Sequence, residues 1–271
     1  NGKEFINKAP YLNFWRAPID NDYGNQLPVR SKEWKVASNK RNLKSINYEI
    51  KGNNIEVLVQ YELLNIKSIY TTTFLINPEG EVKISNDFRY NGRLVDAEMP
   101  RFGMNFQIPK IYNNVSWYGR GPHENYIDRK DSAFMGIYES SVDELGFDYS
   151  RPQENGYRTN TKWVELKDDS GLGIKIFGNP YISFSAHYNT IEDFDDGLRE
   201  NNPGEKASPR SRIVKKQRKP VDISKRDFIS LNIDLKQMGV GGDNSWGARP
   251  LKKYLIQPGN FAYSFIIKPI F

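Results

Sequence analysis

The stretch "ISLNIDLKQMGVGGDNSWGARP", Ile229 to Pro250, holds two patterns back to back. Up to Leu235 the chain alternates apolar and polar, with Ile229, Leu231, Ile233 and Leu235 all falling on one side. That is the period of a strand with a single apolar face. After Met238 come three glycines, an acid, an amide and a serine, directly in front of Trp246. A glycine run of this kind invites comparison with a phosphate-binding loop. Such loops open a helix and carry GxGxxG or GxxxxGK[ST] spacing, whereas here Arg249 and Pro250 close the stretch and no helical period begins. Nucleotide binding is therefore excluded. What remains is a strand end whose backbone turns at glycines and then carries one indole. Trp246 then has two readings. A lid on the domain's own core is the commoner use of such a ring; the other is a wall for a saccharide, whose C–H face stacks on an indole. Asp243 and Asn244 would reach sugar hydroxyls in the second reading and cap the turn in the first.

The alternation recurs along the whole chain. Ile55, Val57, Val59 and Tyr61 show it, as do Val82 with Ile84, Phe88 with Tyr90, and Met104, Phe106 and Ile108. Leu172, Ile174 and Ile176 continue it, followed by Ile182, Phe184 and Ala186, then Tyr263, Phe265 and Ile267. Each strand is expected to show one apolar and one polar face, as antiparallel sheets with one core face require. "NPEG" (Asn77 to Gly80) and "DDSG" (Asp168 to Gly171) read as the turns between such runs. Helical periodicity is confined to "SSVDELG", where Ser141 would cap one or two turns and Gly146 would stop them. The expected architecture is all-β: a large antiparallel sandwich forming a single domain over residues 1–271.

Composition narrows the function. With no cysteine among 271 residues, disulfides, thiolate metal sites and cysteine nucleophiles are excluded. The formal charge of +6 is local, because eight basic residues and one acidic residue lie between Arg210 and Arg226. That run lacks the stacking aromatics of a nucleic-acid reader and is read as a solvated loop, so no nucleic-acid partner is expected. No apolar run approaches the ~20 residues of a membrane span, and no membrane partner is expected either. The chain opens at "NGKEF" without a signal peptide or a methionine, which reads as a segment of something longer. Neither feature assigns a compartment.

Three further polar clusters stand out. "NFWRAPIDNDYGN", Asn13 to Asn25, places Asp20, Asn21 and Asp22 together; these oxygens could hold Ca²⁺ or Na⁺, or tie up the loop's own backbone. "WYGRGPHENYIDR", Trp117 to Arg129, could be an acid–base constellation, or an ion network of Arg120 and Arg129 with Glu124 and Asp128. "RPQENGYR", Arg151 to Arg158, is a polar loop carrying Glu154 and Asn155. The two histidines, His123 and His187, lack zinc-site spacing, and no GxSxG elbow is present.

Taken in order, "FWRAPIDNDYG", "WYGRGPHENYIDR", "RPQENGYRT" and "QMGVGGDNSWG" resemble the C-terminal, small-chain domain of the β-galactosidases of glycoside hydrolase family 2, from about Phe14 to the chain end. The resemblance implies a large antiparallel super-sandwich, similar to galactose mutarotase. It also implies upstream sandwich domains and a TIM barrel in the same chain. That barrel would carry the two catalytic glutamates, ~5–5.5 Å apart for a retaining mechanism. No catalytic residue is thus expected here. By the same resemblance Trp246 reaches toward the barrel's site and helps bind sugar or aglycone. The loop Asp20, Asn21, Asp22 and Gly24 lies at the entrance, Mg²⁺ and Na⁺ belong to the full enzyme, and a homo-oligomer is common. The basic insertion between Leu198 and Arg226 departs from the family, and no contact is carried over to it. Two other readings stand beside this one. An aldose epimerase would recruit His123 or His187 as base or acid, and a carbohydrate-binding module would use Trp246 alone.

Overall fold

The computed structural model describes residues 2–91, 97–195, 198–199, 214–215, 219–244 and 247–271. In chain order the first seven strands are β1 (Lys8–Asn13), β2 (Arg41–Lys51), β3 (Asn54–Leu63), β4 (Ser68–Ile76), β5 (Val82–Arg89), β6 (Arg101–Pro109) and β7 (Asn114–Gly121). The remaining seven are β8 (Phe134–Ser141), β9 (Arg158–Lys167), β10 (Gly173–His187), β11 (Leu198–Arg199), β12 (Val214–Lys215), β13 (Phe228–Gln237) and β14 (Phe261–Ile270). Twelve of them form one antiparallel sheet in the order β1-β6-β13-β10-β14-β5-β4-β3-β2, with β9, β7 and β8 branching from β10; β11 and β12 pair separately. The all-β, antiparallel expectation holds.

β10 divides the sheet. Its first half, Gly173–Asn179, pairs with β14, and its second half, Ser183–His187, pairs with β13. Between the two halves the chain doubles closely on itself. A Cβ at Gly178 would sit 2.5 Å from the Ile182 nitrogen, so only glycine fits there.

The alternating residues meet across strands as the period requires. Ile233 pairs with Met104 on one side and Phe184 on the other, and Leu231 with Phe106 and Ala186. All six are at most 1% exposed. Asn77 closes the turn between β4 and β5, its carbonyl accepting from Gly80 N at 3.1 Å and its side-chain oxygen from Glu81 N at 2.8 Å. Asp168 does the same between β9 and β10, its Oδ1 accepting from Ser170 N at 2.9 Å and Leu172 N at 3.0 Å.

Two departures from the one-polar-face rule are informative. In the central strands the polar face is buried as well. Asn232 Oδ1 accepts from Asn13 at 3.0 Å and Asn105 at 2.9 Å, while its Nδ2 donates to Ser185 at 3.0 Å. This ladder satisfies polar groups that burial would otherwise leave costly. At the β2 edge the reverse occurs: Tyr48 and Ile50, on the same face as the core rows, are 77% and 71% exposed.

Short helices occupy the connections: α1 (Asp20–Gly24), α2 (Leu27–Arg30), α3 (Lys32–Ala37), α4 (Val142–Leu145) and α5 (Ile191–Phe194). α4 is the helix expected from "SSVDELG", with Ser141 Oγ accepting from Glu144 N at 3.3 Å and Glu144 reaching back to Ser141 N at 3.2 Å. The first three helices carry no clear amphipathic period, and tertiary burial of Leu27 and Trp34 holds them.

Candidate functional site

The four polar stretches, the first and last more than two hundred residues apart in sequence, converge. Asn21, Asp128, Glu154 and Asp243, one from each, line a single cleft of about 500 Å³.

Arg16 is the anchor beneath it. The guanidinium is fully buried and donates from Nε and NH2 to the two oxygens of Asp22 at 3.1 and 3.0 Å. It also donates to Gln237 Oε1 at 3.0 Å, Met238 O at 2.9 Å and Gly239 O at 3.0 Å. All five donors of the side chain are thereby used. The first loop is thus stapled to the end of β13. Gln237 extends the connection, since its amide donates to Glu154 Oε1 at 3.0 Å, and Arg101 donates to the same oxygen at 2.6 Å. Asp234 stands 3.2 Å from Arg101. Burial pushes the Asp234 carboxyl up to about 7 despite the pull of Arg101, with Glu154 adding to the rise.

The glycine run ends β13 as its composition suggests. Gly241 and Gly242 adopt φ of +67° and +105°, the left-handed region that glycine enters freely. Gly239 is required for a different reason: a Cβ there would lie 2.4 Å from Asp128 Oδ2. Asp128 accepts from Val240 N at 3.1 Å and Gly241 N at 2.8 Å, so this carboxylate caps the glycine turn. The expected ion network is corrected accordingly. Only Arg129 approaches Glu124, at 3.7 Å, while Arg120 donates to the Lys130 and Ala133 carbonyls at 3.1 and 2.7 Å. Glu124 mainly fixes the third loop, accepting from Gly156 N at 2.7 Å and from the Tyr149 hydroxyl. Burial and that hydrogen bond push the Tyr149 phenol up to about 12, which keeps it a donor.

Of the residues singled out in the sequence, Asp20, Asn21 and Asp243 line the cleft. Asp20 N donates to Gln153 Oε1 at 3.1 Å, and Asn21 Nδ2 reaches Val240 O at 3.4 Å. Gly24 lies against the far end of the fourth loop, where a Cβ at Gly247 would fall 2.4 Å from the Gly24 carbonyl carbon. Asn244 is exposed on the same loop. Trp246 lies outside the described residues.

Asp22 departs from expectation. It is fully buried, faces Arg16 and also accepts from Ile19 N at 3.1 Å. A cation shared by Asp20 and Asp22 does not fit this arrangement, because both Asp22 oxygens are occupied and a guanidinium adjoins them. Among the described residues, no group of three or more His, Asp or Glu is gathered to hold a metal ion. The two histidines line separate clefts: His123 bonds Ser132 at 3.2 Å, and His187 lies beside Asn155. The roles of Arg16 and Gln237 had no signal in the sequence beyond their place inside the quoted motifs.

Comparison with known proteins identifies the family. A family model described as "Beta galactosidase small chain" matches residues 1–267. A β-galactosidase of Priestia megaterium is 32% identical over 263 residues, covering 95% of this chain and 23% of that protein. A β-galactosidase of Streptococcus thermophilus is 30% identical over 273 residues, covering 100% of this chain and 24% of that protein. The chain therefore spans about a quarter of the length of these relatives. Among solved structures, a galactose mutarotase related enzyme from Lactobacillus acidophilus overlays with a TM-score of 0.38 at 9% identity, covering 84% of this chain and 71% of that one. With a family model spanning nearly its whole length, and with the four motif loops gathered around one cleft, this chain belongs to the β-galactosidase small-chain family.

Proposed function

We propose that this chain is the C-terminal part of a retaining β-galactosidase and completes the entrance of an active site whose two catalytic glutamates lie in an upstream barrel. In this reading the cleft between Asp20, Asn21 and Asp243 receives part of a galactoside, sugar or aglycone, and Asn244 and Trp246 help bind the same ligand. The convergence of four separate loops on one cleft carries the reading. The buried Arg16, Gln237 and Glu154 hold those loops in fixed register, so the cleft is formed before ligand arrives. The upstream domains are partners in the same polypeptide, and assembly into a homo-oligomer belongs to the proposal as well. No catalytic role falls to any residue of this chain.

The test is kinetic. In the full-length enzyme, Asp243→Ala and Trp246→Ala are expected to lower kcat/KM for a β-galactoside by about five- to tenfold, as loss of one polar or stacking contact would. Wild-type kcat and KM in both variants would refute the entrance role. The 271-residue chain alone is expected not to hydrolyse an aryl β-galactoside, and turnover by it would return the chemistry to this chain, with Glu124, Glu154 and Asp243 as the carboxylates to replace.

A further inference from the structure

A second cleft, of about 490 Å³, opens beside the first and shares Tyr149 and Gln153 with it. Its size lies within the ~300–1,000 Å³ typical of small-molecule sites. Its lining combines an exposed ring with a neutral acceptor. Phe147 is 60% exposed, and its ring packs on Tyr149 with centroids 4.7 Å apart. Tyr149 thereby joins the two clefts into one aromatic edge.

His187 supplies the acceptor. Its Nε2 lies 3.0 Å from the Asn155 carbonyl. A carbonyl only accepts, so Nε2 carries the proton and Nδ1 keeps its lone pair. Among the described residues nothing donates to Nδ1. Gly146 packs beside it, a Cβ built there falling 3.7 Å from Nδ1, and His187 lines the cleft. Burial holds the imidazole down to about 4, so it is neutral at pH 7.

The lining carries two residues of each sign, Asp143 and Asp148 with Arg151 and Lys225; Asp143 is paired with Lys225, and the Arg151 guanidinium stacks 4.3 Å over the Tyr23 ring. A lining without net charge favours neither an anionic nor a cationic ligand overall. A neutral, hydroxyl-rich molecule with an apolar face fits both features: the face lies on Phe147 and a hydroxyl donates to His187 Nδ1.

We infer that this cleft is a second saccharide subsite, taking the distal sugar of a galactoside longer than a disaccharide whose leading end occupies the first cleft. The inference rests on the entrance role proposed above.

In the full-length enzyme, the ratio of kcat/KM for a β-galactosyl trisaccharide to that for an aryl β-galactoside separates the two ideas. Phe147→Ala is expected to lower this ratio about fivefold, as loss of a stacking contact would. His187→Gln, which keeps a donor toward Asn155 and removes the ring acceptor, is expected to lower it too. An unchanged ratio in both variants overturns the subsite. An equal fall on both substrates also overturns it, because a general loss of structure moves both alike. If Asp243→Ala and Trp246→Ala leave both substrates at wild-type rates while Phe147→Ala still lowers the ratio, the second cleft stands as a saccharide site and the entrance role falls.

Discussion

Arg16 and Asp22 form a fully buried bidentate pair, with hydrogen bonds of 3.1 and 3.0 Å, and the same guanidinium also holds Gln237 and two carbonyls of the fourth loop. The pair therefore works as a clasp between the N-terminal loop and the end of β13. Removing one partner strands a charge out of water. Arg16→Met is expected to cost about 3–5 kcal/mol in chemical unfolding. Arg16→Lys is expected to recover only part of that, because an ammonium cannot span five acceptors. A loss below about 1 kcal/mol for Arg16→Met would show that the clasp is not as drawn.

Gln237 links that pair to the ion pair of Arg101 with Glu154, accepting from Arg16 and donating to Glu154 at 3.0 Å each. Gln237→Leu leaves a donor and an acceptor unmet, at a cost of about 1–3 kcal/mol. A double-mutant cycle of Gln237→Leu with Glu154→Gln is expected to be non-additive by 0.5 kcal/mol or more, on the order seen for residues sharing one network. Strict additivity would argue against the bridge.

Gly239 has no left-handed φ to protect, so its sensitivity to substitution should come from Asp128 alone. Gly239→Ala is expected to destabilise by about 1–3 kcal/mol through overpacking. In an Asp128→Ala background the same change should cost much less, since the clashing oxygen is gone. Equal costs in the two backgrounds, measured by thermal unfolding, would place the strain elsewhere.

His187 sets a sign for acid sensitivity. Its folded-state value of about 4 lies below the ordinary 6.5, so between these limits the unfolded chain binds the extra proton. Stability from this group is complete above pH 6.5 and is lost as the pH falls toward 4. His187→Gln should flatten that part of the stability–pH profile. Asp234 acts with the opposite sign: its carboxyl, raised to about 7 from 3.8, lowers stability as the pH rises through that window. Asp234→Asn should therefore steepen the acid-side loss, and a profile unmoved by both variants would show that neither group titrates as placed.

The two ends of one sheet face should respond differently to truncation. Ile84, 1% exposed and paired with Phe265, is expected to cost about 2–5 kcal/mol as Ile84→Ala. Ile50, on the same face but 71% exposed, should stay within about 0.5 kcal/mol in this chain.

The amino-acid order alone determined the all-β class, because a period of two is a local property that survives without knowledge of neighbours. It marked most of the strands, the turns at Asn77 and Asp168, the capped helix after Ser141 and the sharp turn at Gly241 and Gly242, since each depends on residues within a few positions. Only the tertiary structure decided which polar residues face the cleft and which hold it together. Asp20 and Asp22 are two positions apart and equally acidic, yet one lines the cleft and the other is buried against Arg16. Asp128 reads as an arginine partner and instead binds backbone of the glycine turn more than one hundred positions away. The same holds for the polar face of β13, buried in its asparagine ladder, and the apolar face of β2, left exposed. Spacing gives the side of a strand on which a residue lies; what covers that side is fixed by long-range pairing.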